Sequence, residues 1–101
     1  MTDSHSIEFE ADTGIFRVTG ELTFATVNNI LGQAHTLFEP INTLDIDLTE
    51  VTRSDSAGLA LLITWMRSAK NSNKKIVFHN IPSQMLAIAN ASGLVELLPL
   101  Q

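Results

Sequence analysis

A chain of 101 residues with 45% hydrophobic content has the length of one domain and is too apolar to stay disordered. Eleven acidic against six basic residues give a net charge of -5, the wrong sign for sequence-independent attraction to nucleic-acid backbones or anionic lipid. Cysteine is absent, which removes disulfides, thiolate metal sites and thiol nucleophiles.

The opening MTDSHSIEFE lacks the basic and apolar regions of a secretory signal, and the longest apolar run, Gly58 to Ile63, is too short to cross a bilayer. The expected location is therefore the cytosol, without direct membrane insertion. Ile7 and Phe9, then Ile15, Phe16 and Val18, flank the turn-forming Ala11-Asp12-Thr13-Gly14 and predict an N-terminal hairpin. From Thr23 the period changes. Phe24, Val27, Ile30, Leu31, Ala34, Leu37 and Phe38 predict an amphipathic helix that stops before Pro40.

Ile41 to Leu48 returns to alternation, with Leu44, Ile46 and Leu48 on one face and Asp45 and Asp47 on the other. A short polar loop follows. Ser54 or Asp55 then caps a second helix running to about Asn71, and Lys74 to Phe78 reads as a short buried strand. Pro82 opens a third helix through Ala91, Gly93 stands where a C-cap glycine belongs, and Val95 to Leu100 is expected to add an edge strand. The order ββαβαβαβ predicts a single α/β domain over 1–101, mostly parallel, with the hairpin as its antiparallel element.

Asp45 to Leu62, DIDLTEVTRSDSAGLALL, concentrates the chemistry. It places the Ser56 hydroxyl at a helix entrance, where it can cap the helix, accept a phosphate or centre a docking surface. Projected at 100° per residue, Leu59, Leu62, Ile63 and Met66 form the core stripe, with Ala69 at its margin. The opposite side holds Ala57, Ala60, Leu61, Thr64 and Ser68, with Trp65 on its flank and only Arg67 charged nearby. That side is expected to leave Leu61 and Trp65 partly wet unless a partner or a neighbouring element covers them. An aromatic anchor in a patch depleted of charge suits a partner.

Other constellations are weaker. His5 reads as a tail residue, His35 as a helix-surface residue and His79 as a strand-end residue, too far apart to suggest a metal site. Asp45 and Asp47 read as the polar face of the sheet rather than an acid–base pair, and the scattered glycines make no phosphate loop. Gly58 lets a backbone or a partner approach the first helical turn closely. Lys74 and Lys75 read as a solvated strand start. No catalytic residue, metal or cofactor is assigned.

The segment LDIDLTEVTRSDSAGLALL, with VTGEL before the first helix, KKIVFHNIP and the ending SGLVELLPL, resembles the STAS domain family. That family includes anti-sigma factor antagonists, sulfate-transporter C-terminal domains and the MlaB subunit of Mla phospholipid transporters. Thr23 after GEL, and GLALL entering the second helix, resemble the MlaB-like members. The MlaB-like resemblance implies a noncatalytic subunit that regulates the ATPase (MlaF-like) of an inner-membrane ABC transporter maintaining outer-membrane lipid asymmetry. It also implies a location peripheral to the cytoplasmic side of that membrane. The docking face would use Ser56, Ala57, Leu61, Thr64 and Trp65. Resemblance to the antagonists implies instead that Ser56 is phosphorylated by an anti-sigma factor kinase.

Overall fold

The computed structural model describes residues 5–99. Strands β1 (His5–Glu10) and β2 (Ile15–Leu22) form the expected hairpin, closed by Gly14 at a φ of +73°, a left-handed geometry that glycine adopts without strain. Helix α1 (Val27–Phe38), strand β3 (Thr43–Ser54), helix α2 (Ser56–Asn71), strand β4 (Lys75–His79) and helix α3 (Ser83–Ala91) follow in order. The fold is mixed α/β. Its sheet runs β1-β2-β3-β4, antiparallel between β1 and β2 and parallel thereafter. Parallel neighbours cannot be joined by a hairpin, so α1 and α2 serve as the crossovers between β2, β3 and β4.

Ile7, Phe16, Val18, Leu22, Leu44, Ile46, Leu48 and Phe78 are buried on one side of the sheet and share a core with Ile30, Ala34, Leu59, Leu62, Met85 and Ala89 from the helices. Phe9, Phe16, Phe38 and Trp65 extend this core as a chain of rings, with successive centroids 4.6, 4.8 and 5.3 Å apart. The last two contacts are edge-to-face, the arrangement that ring quadrupoles favour.

The outer side is polar, as the alternation of Asp45 and Asp47 predicts. Arg17 spans Glu10 and Asp47 at 3.2 Å each, and His79 Nε2 lies 3.0 Å from Asp45 Oδ1. Partial burial pushes the Asp47 carboxyl up, but hydrogen bonds from Thr49 and Asn80, with the Arg17 charge, outweigh it and hold the group below its ordinary 3.8. A depressed carboxyl stabilises the fold above its unfolded value, and that contribution is lost as pH falls through the folded value. Asp47→Asn is therefore expected to flatten the decline of Tm between about pH 5 and about pH 2. A decline as steep as that of the wild type would remove Asp47 from the account.

Three boundaries differ from the sequence reading. The first helix begins at Val27, not Thr23: Thr26 Oγ1 accepts from Thr23 N–H at 3.0 Å and donates to the Glu21 carbonyl at 2.7 Å, locking residues 23–26 into a turn. Strand β3 continues to Ser54, because Glu50, Val51, Arg53 and Ser54 keep pairing with the far half of β2 across two register shifts. Those irregularities erase the alternation that marks a strand in sequence. Val95–Leu97 forms a 3₁₀ turn where an edge strand was expected. Pro99 then accepts one backbone hydrogen bond from Phe78 N–H on β4, at 2.9 Å, and residue 100 lies outside the described residues.

Two smaller corrections concern side chains. His5 opens β1 and places Nε2 3.2 Å from Asn29 Oδ1 on α1, so it is not a free tail residue. Lys74 is not simply solvated: its ammonium donates to the carbonyls of Phe38 and Glu39 and so closes the C-terminal end of α1.

Candidate functional site

The junction between β3 and α2 is held by one carboxylate. Asp55, in extended backbone geometry, is the N-cap of α2; its Oδ1 accepts from Ala57 N–H at 2.9 Å and its Oδ2 from Phe24 N–H at 3.1 Å. Asp55 N–H in turn donates to the Leu22 carbonyl at 3.3 Å. One acidic side chain thereby satisfies an orphan donor of the helix and ties the loop after β2 to the helix entrance.

Gly58 completes the junction. A Cβ there would stand 2.6 Å from the Leu22 carbonyl oxygen and 3.2 Å from Met85 Cε. The close approach expected from the sequence is made by this chain's own backbone. Gly58→Ala is expected to lower stability by about 1–3 kcal/mol, because the overlap outweighs alanine's better helix propensity. For a domain of this size Tm should fall by roughly 4–8 °C per kcal/mol. An unchanged or raised melting temperature would show that the junction yields freely.

With capping assigned to Asp55, the Ser56 hydroxyl takes no part in the cap; Ser56 is the first helical residue and is exposed. Ala57 is half-buried and Thr64 exposed, its hydroxyl donating to the Ala60 carbonyl at 2.9 Å. Ser56, Ala60, Thr64 and Ser68, four residues apart, form an exposed uncharged ridge along α2.

Leu61 and Trp65 do not belong to that ridge. They are 4% and 2% exposed and lie in the core, covered by neighbouring elements of the chain itself, so they do not form part of the exposed docking face expected of them. The projection treated α2 as packed against the sheet alone. In the fold α2 also meets α1 and α3, and Trp65 sets its ring edge-to-face on Phe38 of α1. A helix with three neighbours buries a wider arc than one apolar stripe.

The exposed aromatic at this end of the molecule is Phe24. It is 85% exposed, held by its backbone to the same carboxylate that caps the helix carrying Ser56. The sequence reading placed it in the apolar face of α1. The available signal was Thr26, a residue type favoured at N-caps, immediately before Val27.

Elsewhere, His35 lies on α1 and His79 on β4, and among the described residues no three His, Asp or Glu side chains gather into a metal-binding group. No helix among the described residues is long and apolar enough to cross a membrane.

Comparison with known proteins fits this geometry. Two solved structures of the anti-sigma factor antagonist SpoIIAA are similar in fold. The unphosphorylated form matches at a TM-score of 0.66 and 18% identity, covering 100% of this chain and 84% of that one. The phosphorylated form, described as a Bacillus cell fate determinant, matches at 0.63 and 19%, covering 100% and 86%. A family model described as the Mlab STAS domain matches residues 5–99. The chain therefore belongs to the STAS domain family, in the group described as Mlab.

Proposed function

We propose that this protein is the noncatalytic STAS subunit of a phospholipid-transporting ABC transporter of the Mla type, and that it docks on the transporter's ATPase at the cytoplasmic side of the inner membrane. It would hold the ATPase in its assembled, active geometry; ATP and lipid would bind its partners. The observation that carries this reading is the surface around Ser56: an exposed hydroxyl, an uncharged ridge on α2 and the exposed ring of Phe24, joined through Asp55. A large apolar ring left exposed by the described residues, beside a patch without charge, has the composition of an interface centre. The outer sheet face is a poorer candidate, because it is rich in charge, and Arg17, Glu10 and Asp47 are already paired with one another. Membership in the Mlab group supports an ABC transporter as the partner.

The docking residues are Ser56, Ala57, Thr64 and Phe24; Leu61 and Trp65 support the helix from beneath. A second reading has one observation in its favour: Ser56 is exposed at a helix N-terminus, where free N–H groups and the macrodipole would accept a phosphate. On that reading the chain is an anti-sigma factor antagonist switched by a kinase.

Affinity capture of the tagged protein from its native cells, with mass spectrometry of partners and of the Ser56 peptide, separates the two. An ABC ATPase recovered with unmodified Ser56 is the expected result. A serine kinase recovered with phosphorylated Ser56 would replace the transporter reading with the switch.

A further inference from the structure

The charges of this chain are separated along its length. Ten of the eleven acidic residues precede Ser56 and none lies between Ser56 and Val95, whereas four of the six basic residues, Arg67, Lys70, Lys74 and Lys75, fall within nine positions. The fold gathers these four at one end of the molecule. Helix α2 stops in a tight turn, with Asn73 at a φ of +58° and Lys74 N–H donating to the Ala69 carbonyl at 2.8 Å, so the chain reverses and β4 starts beside the last turn of α2. Arg67, Lys70 and Lys75 are exposed, and the intervening Ser68, Asn71, Ser72 and Asn73 are exposed and neutral.

Structural roles account for half of the cluster. Lys70, in the last turn of α2, offsets the negative end of that helix, and Lys74 is engaged by the carbonyls that end α1. Arg67 and Lys75 have no such role, and among the described residues none of the four is paired with a carboxylate. Glu39 is exposed at the same end, but one carboxylate leaves that end cationic. The patch therefore suits an anion, and the rest of the chain limits how large that anion can be. Charges in solution are screened beyond about 8 Å at physiological ionic strength, so a short acidic peptide meets the cations alone. A bilayer or a nucleic-acid duplex extends past the patch of a molecule measuring 37 × 34 × 21 Å and is repelled by its net charge of -5. The exposed large apolar residues are Phe24, Leu31 and Leu97, so none lies within Arg67–Lys75 to enter a membrane. We infer that this end of the molecule binds an acidic segment of a partner polypeptide, its carboxylates paired with Arg67, Lys70 and Lys75 and hydrogen-bonded by the neutral side chains between them. Lys70 stands fourteen residues along α2 from Ser56, about 21 Å by helical rise, so this surface is separate from the docking surface at Ser56 and does not depend on which partner binds there.

A ¹H–¹⁵N titration of the protein with a hexaglutamate peptide, acetylated and amidated at its ends, tests this at low salt. Saturable shifts confined to the amides of residues 67–75 are expected, with residues 23–26 and 55–57 unmoved, and binding should weaken as salt is raised to about 0.15 M. Arg67→Gln, Lys70→Gln and Lys75→Gln should each lower the affinity roughly 2–5-fold, the worth of one exposed ion pair. Arg53→Gln makes the same change of net charge on the far side of α2, at the strand end that precedes the helix, and should leave the affinity unchanged. Co-sedimentation with vesicles of phosphatidylglycerol and phosphatidylcholine should recover no protein. Absence of a saturable shift, shifts spread over the whole molecule, or an equal loss in the Arg53 variant would overturn the inference. Vesicle binding that the three glutamine variants abolish would also overturn it and assign the patch to a membrane surface.

Discussion

Glutamate at position 56 is expected to weaken association with the ATPase by roughly 30-fold or more, the effect of losing about 2 kcal/mol at the centre of an interface. In the free protein the change should be nearly silent. Ser56 is exposed and its hydroxyl is not used by the cap, while a carboxylate in the first turn of a helix is mildly favourable. On docking, the same carboxylate would be stripped of water opposite an uncharged partner surface, with no cation supplied by Ala57, Ala60 or Thr64 to offset the loss. Ser56→Ala removes a small polar group and should cost less than about 1 kcal/mol. Thermal melts should show both variants folded, and calorimetric titration of the purified ATPase should separate them. Wild-type affinity in the glutamate variant would place the interface elsewhere.

Trp65→Ala is expected to give the largest loss of stability, about 3–5 kcal/mol, through deletion of a buried ring and the cavity left behind. The residue is almost wholly enclosed, and its ring joins α2 to α1 through Phe38. Total stabilities of small domains are only about 5–15 kcal/mol, so a large share of the variant should be unfolded at growth temperature. Trp65→Phe should be far milder, since an aromatic ring remains and the indole N–H it removes has no partner among the described residues. Urea unfolding followed by far-ultraviolet circular dichroism measures both. A loss below about 1 kcal/mol for the alanine variant would mean that Trp65 is a surface residue after all.

The elements that sequence reveals here are those governed by local rules. The hairpin follows from Gly14 between two apolar runs, the span of α2 from Asp55 and the Asn71-Ser72-Asn73 stop, and the polar sheet face from Asp45 and Asp47. What local pattern does not contain is the number of neighbours an element has. Leu61 and Trp65 read as partly wet, open to cover by a partner or by a neighbouring element, and it is α1 and α3 that close over the flanks of α2. Phe24 failed in the opposite sense. Its spacing continues the helical period of Val27 and Ile30, but two threonine-centred hydrogen bonds hold residues 23–26 in a turn and leave the ring outside.

These two errors are coupled through the site. The aromatic expected at the surface of α2 belongs to the core, and the aromatic expected in the core stands exposed on the adjoining loop. Thr64 keeps the exposed position expected of it, because its phase along α2 follows from where the helix begins, whereas Ser56, expected as a cap, is an exposed first helical residue with Asp55 capping in its place. Asp55 unites loop and helix, so a change that shifts the loop also disturbs the helix entrance.

Amide hydrogen exchange of this protein, free and bound to the ATPase, tests that surface most directly. Protection gained by residues 23–26 and 55–61, with the strands of the open sheet face unchanged, is the predicted result. Protection gained across β3 and β4 on that charged face, with residues 23–26 exchanging as they do in the free protein, would contradict it.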